Sequence, residues 1–227
     1  MQHRIEGILQ VDPLAEAIGR DQYTTKKFQN RGEFGELLLH IAARQVFNTL
    51  PAISKIYYKD SANDTVKGFD AVHVVAEGTV LELWLGEVKF YEDIGAAIRD
   101  VVKELEQHTT PGYLRSEAAA IINKIDSNWP HADRLKKLLD PNTTLDSVFD
   151  AMCIPVLLTY NSRAINSHQR LTAAFTQAFS DEVRAHQKTL GAKTLPPFRL
   201  HLFLVPLKEK KELLTFLDEE LRKWQTP

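Results

Sequence analysis

Apolar residues between Glu33 and Leu50 recur at helical spacing. In EFGELLLHIAARQVFNTL, Phe34, Leu37, Leu38 and Ile41 form one stripe, and Leu39, Ala43 and Phe47 form another. The pattern predicts a helix that is apolar almost all round and is ended by Pro51. ISKIYYK then reads as a short strand, DSANDTVKG as a turn, FDAVHVV as a second strand, AEG as a turn and TVLELWLGEVKFY as a third strand. The folded part therefore opens with a helix and a three-strand meander.

Beyond the meander, Ile94, Ala97, Ile98, Val101, Val102 and Leu105 take the spacing of a helix that lays one face on a sheet. The stretch from about 110 to 150 reads as an inserted layer of two or three shorter helices, broken by Pro130, Pro141 and NTT. CIPVLLTY and FRLHLFLVPL are continuous apolar runs of strand length, as in a sheet covered on both faces. Between them HQRLTAAFTQAFSDEVRAHQ predicts a helix with Leu171, Ala174, Phe175, Ala178 and Phe179 in one stripe, and a last helix runs from about Lys208 to Trp224. This order is that of an α/β domain with a central mixed sheet, spanning 33–227 after a polar N-terminal segment, 1–32.

Composition narrows the function. With 227 residues, 44% hydrophobic and 26% charged, the chain can bury one sizeable core. A formal charge of −2 argues against nucleic-acid binding by bulk electrostatics, although local patches or a basic partner could supply it. No apolar run approaches the roughly 18 residues of a membrane span, so a soluble, cytoplasmic protein without membrane association is expected. Cys153, the only cysteine, reads as a small buried strand residue.

The chemistry lies where charge interrupts apolar strands. Side chains alternate along the third strand, so Leu81, Leu83, Leu85, Glu87 and Lys89 share one face, while Trp84, Val88 and Phe90 share the other. Asp70 opens the preceding strand, and a hairpin across AEG brings it to Glu87. Single buried charges are costly; two carboxylates sharing a divalent cation, with an ammonium alongside, offset one another. Asp70 and Glu87 are hard oxygen ligands suited to Mg²⁺. Lys89 is placed to orient an attacking water and to stabilise charge developing on phosphorus, and together the three fit phosphodiester hydrolysis. Glu36, a carboxylate on the side of the first helix that carries Leu39, Ala43 and Phe47, is a fourth candidate, able to bind the metal through a water.

Other charged residues have plainer readings. Glu33 suits the helix macrodipole. Asp60 and Asp64 read as turn formers, His73 as packing beside its strand, and KEKK at 208–211 as a solvated helix start. Lys26, Lys27 and Arg31 are the better basic candidates for DNA, and Gln107 and His108, at the end of the helix after the motif, are set aside. A structural ion-pair network is the competing explanation of the cluster.

GFD on one strand and EVK on the next, in this order of elements, resemble the PD-(D/E)xK nuclease superfamily over roughly 33–206, with Phe69 where the signature has proline. RGEFGELLLHIAAR, YYKDSANDTVKGFDAVHV and LWLGEVKFY are more closely similar to the HamA family, the nuclease-type subunit of the Hachiman anti-phage defence system. The resemblance implies a restriction-endonuclease-like core and a DNA nuclease that works with a HamB-type helicase. It further implies Mg²⁺ as cofactor, with Mn²⁺ able to substitute, and Glu36, Asp70, Glu87 and Lys89 as the site, the three acids holding metal. A subunit of the same fold that clamps a helicase without cutting is the alternative.

Overall fold

The computed structural model describes residues 32–53 and 68–225. Most of the N-terminal segment, with Lys26, Lys27 and Arg31, lies outside them, as do Asp60 and Asp64 and nearly all of ISKIYYK.

Helix α1 (Glu33–Phe47) begins where periodicity places it but stops earlier than Pro51, because Asn48 takes the left-handed conformation, φ 53°, and caps it with its N–H on the Arg44 carbonyl. Strand β1 (Leu50–Ile53) therefore contains Pro51 and starts before ISKIYYK. Proline is tolerated there because β1 is an edge strand, paired with β2 alone. Strands β2 (Ala71–Glu77) and β3 (Val80–Lys89) form the expected hairpin, but β2 runs on through Ala76 and Glu77. The turn is only Gly78 and Thr79, with Gly78 at φ 53°.

Helix α2 (Ile94–His108) follows its predicted stripe, and Asp93 caps it by accepting from the Ala96 N–H. The insertion comprises three helices, α3 (Pro111–Lys124), α4 (Ala132–Leu138) and α5 (Leu145–Asp150). Strand β4 (Met152–Asn161) is the buried centre of the parallel part, and its Cys153 thiol, pushed up to about 12 by burial, is inert. Next come α6 (Arg163–Ser167), α7 (Ala173–Gly191), β5 (Arg199–Leu207) and α8 (Lys210–Gln225).

Two further differences from the sequence pattern lie in the C-terminal half. Leu171 precedes α7 and is 85% exposed, since Thr172 caps that helix and the stripe faces the domain only from Phe175 on. Strand β5 is half-buried rather than covered on both faces, because it closes the other edge of the sheet.

The sheet order is β1-β2-β3-β4-β5, antiparallel through β3 and parallel from β3 to β5. One face packs Ala71, Val88, Phe90 and Leu157 against Phe34 and Leu39 of α1 and Leu214 of α8. The other packs Val72, Val74, Leu83 and Leu85 against Ile98, Val101 and Leu105 of α2 and against Leu114, Ile121 and Leu135 of the insertion. The alternation read along β3 is thus the division between the two layers. Among the described residues no helix is long and apolar enough to cross a membrane.

Candidate active site

Residues Ala71 and Gly86 are paired across the hairpin, so Asp70 and Glu87 come next in the same register. The Asp70 amide donates to the Gly86 carbonyl at 2.7 Å, and its carboxylate accepts from the Val88 amide at 2.9 Å. Asp70 is therefore tied on both sides of Glu87. Burial does not relax after Leu85: Glu87 is 1% exposed and Lys89 8%. A solvated strand face is excluded for both.

The second helix completes the charge pattern. Glu104 and His108 lie one helical turn apart, a rise of about 6 Å, which matches the roughly 6.6 Å between alternate residues of a strand. That match lets Glu104 pair with the Lys89 ammonium while His108 Nδ1 meets the Glu87 carboxylate. Sequence reasoning set His108 aside and did not name Glu104. The i, i+4 spacing of an acid and a histidine beside a buried stripe, set against E-x-K on the preceding strand, is the signal that could have found them. Gln107 is exposed.

Burial raises the Glu87 carboxyl to about 7, with the negative charges of Asp70 and Glu104 adding to the rise and His108 opposing it. Burial opposes the Lys89 ammonium, yet Glu104, Glu87 and Asp70 together hold its pKa above the usual lysine value. Three carboxylates thus act on the one buried ammonium of Lys89.

Glu36 stands on the other layer. It is half-buried in the first turn of α1, whose start is held against β3: a Cβ on Gly35 would meet Val88 Cγ1 at 2.6 Å and Phe90 Cβ at 3.1 Å. It therefore sits beside the backbone that carries Glu87 and Lys89. Among the described residues no three His, Cys, Asp or Glu side chains are grouped as a metal-holding set. Two adjacent carboxylates with an excess of negative charge still fit Mg²⁺, which commonly takes one or two protein carboxylates and fills its shell with water and substrate phosphate.

The insertion reaches the same place. Tyr113 of α3 stacks on His108 at 4.3 Å between centroids and 13° between planes. Glu117 of α3 closes over Gly68, where φ is +126° and a Cβ would stand 2.5 Å from its carboxylate oxygen. Elsewhere, His73 does pack beside its strand, buried and bonded to Thr49 at 2.7 Å and His40 at 3.0 Å. In KEKK, Lys208 pairs with Glu212, while Lys210 lies 5.0 Å over the Phe90 ring and is not simply solvated.

A family model described as HamA matches residues 2–221. No curated protein and no solved structure matches the chain.

Proposed function

The chain belongs to the HamA family, which suggests a role in Hachiman anti-phage defence, and from that premise we propose that it is a Mg²⁺-dependent deoxyribonuclease with a restriction-endonuclease-like core, acting with a HamB-type helicase. The observation that carries this reading is the burial of Glu87 and Lys89 on one face of β3 with Asp70 tied beside them. A helix, an antiparallel meander, a crossing helix and parallel strands are also the elements of that core.

Asp70 and Glu87 are the residues that would hold Mg²⁺, which supplies positive charge against the phosphate and makes a bound water more acidic. Lys89 delivers a permanent positive charge to the same end of β3, where it orients the attacking water and offsets charge developing on the phosphoryl oxygens. Glu104 keeps the ammonium protonated and fixes its direction. The covering insertion excludes bulk water from the Glu87 side, which strengthens each of these interactions.

A second reading has one observation in its favour. Lys89 and Glu87 are both already partnered within the fold, by Glu104 and His108, as in a subunit that keeps the architecture to clamp a helicase without cutting.

Cleavage of supercoiled plasmid and linear duplex with Mg²⁺ or Mn²⁺ tests the proposal, comparing wild type with Lys89→Ala, alone and with the cognate helicase and ATP. Cutting by wild type and none by the folded variant is the expected result. No cutting by folded wild type under any of these conditions moves the assignment to the clamp.

A further inference from the structure

A carboxylate ligand needs a fixed direction as well as a charge, and a group hydrogen-bonded to one of its oxygens supplies that direction. For Glu87 this group is His108, whose Nδ1 meets Glu87 Oε1. The imidazole is itself held between two rings. Tyr113 stacks parallel to it at 4.3 Å, and Phe69 meets it edge-on at 5.3 Å and 67°. Phe69 and Tyr113 also contact each other, 6.1 Å apart at 80°. These three rings form a closed cluster joining the residue before Asp70, the last turn of α2 and the first turn of the insertion.

We propose that His108 is a positioning residue for Glu87, donating its Nδ1–H to Oε1 so that the other oxygen is aimed for ligation, and that the Tyr113 ring holds His108 in that pose. The proposal rests on the reading of Asp70 and Glu87 as a metal site. It gives the helical insertion a part in the chemistry, since α3 supplies the stacking ring. Free neutral imidazole favours a proton on Nε2, so a proton held on Nδ1 marks a histidine whose tautomer is set by an acceptor.

Two measurements on the full chain test it. Calorimetric titration with Mn²⁺ is expected to show affinity weakened by about 10- to 100-fold in His108→Ala, the range for loss of a group that orients a ligand. His108→Asn, whose side-chain amide can stand near the place of Nδ1, is expected to recover part of it. Tyr113→Ala should weaken binding as well, while Tyr113→Phe, which keeps the ring, should bind like wild type. Nitrogen NMR of the histidines should show His108 protonated on Nδ1 in wild type, and not in Glu87→Leu. Unchanged Mn²⁺ affinity in folded His108→Ala overturns the inference with the metal site intact. Absence of Mn²⁺ binding in wild type overturns the metal-site reading instead, and the NMR spectrum then decides the His108–Glu87 hydrogen bond alone: a neutral Nε2–H tautomer in wild type overturns it.

Discussion

The ammonium of Lys89 is paired with the carboxylate of Glu104, and this pair ties the end of β3 to α2 across the candidate site. Lys89 is nearly covered while Glu104 is partly open to solvent, so the interaction is screened on one side only. Glu104→Gln keeps the shape of the acid but lowers the lysine pKa toward its ordinary value. The expected outcome is a loss of roughly 1 kcal/mol in chemical denaturation with DNA cleavage reduced and not abolished, because Asp70 and Glu87 still act on the ammonium. Lys89→Ala, by contrast, is expected to remove cleavage outright.

The entry to β2 depends on Gly68. Its φ of +126° is strained for any residue with a side chain, and a Cβ would also press on the Glu117 carboxylate at 2.5 Å. Gly68→Ala is expected to destabilise the protein by about 1–3 kcal/mol and to lower cleavage by displacing Asp70, two residues on. Adding Glu117→Ala relieves the collision but leaves the backbone strain. The double variant should therefore recover only part of the stability in a denaturant titration.

The elements that periodicity located well are those whose apolar residues face a single neighbour. The stripe from Ile94 to Leu105 lies on one sheet face, and the alternation from Leu81 to Lys89 separates two layers. Where a tertiary partner decides, the pattern misleads. Pro51 could be read as a helix stop because nothing local says that β1 is an edge where a missing N–H costs little. Leu171 extends the spacing of Phe175 and Phe179, yet the cap at Thr172 starts the helix after it. Asp70, Glu87 and Lys89 were legible because charge inside an apolar strand demands an explanation. Tyr113 and Glu117 were not, because they reach the site through the fold-back of α3, while Glu104 and His108 show only as an i, i+4 pair whose partners the crossing of α2 decides.

Stability should respond to acid through His73. Burial, with His40 and Arg44 adding to it, lowers its pKa from 6.5 to about 3. The folded state thus refuses a proton that the unfolded chain accepts below pH 6.5, and stability contributed by the neutral ring falls as pH drops from 6.5 toward 3. The slope approaches about 1.4 kcal/mol per pH unit. Glu87, raised to about 7, contributes the opposite slope between its unfolded value of 4.5 and 7, so the effect is isolated by difference. Denaturation of wild type and His73→Gln should show the advantage of wild type shrinking by roughly that slope below pH 6. A constant difference from pH 7 to pH 5 would show that His73 is not held neutral.

Metal binding has its own thermodynamic signature, independent of cutting. Asp70 and Glu87 repel each other, with burial the larger cause of the raised Glu87 pKa, so a cation between them stabilises only the folded chain. With free Mg²⁺ at ten times its Kd, mass action adds about 1.4 kcal/mol to folding, seen as a higher melting temperature. Glu87→Gln removes one ligand charge and the repulsion together, so without Mg²⁺ it should melt at or above wild type and with Mg²⁺ it should gain little. The sign of the comparison therefore reverses between metal-free and metal-loaded conditions. A structural ion-pair network predicts no reversal, because Mg²⁺ would then bind neither protein and the comparison would keep one sign with and without it. Melting curves of the two proteins, with chelator and with millimolar Mg²⁺, separate these outcomes without a nuclease assay.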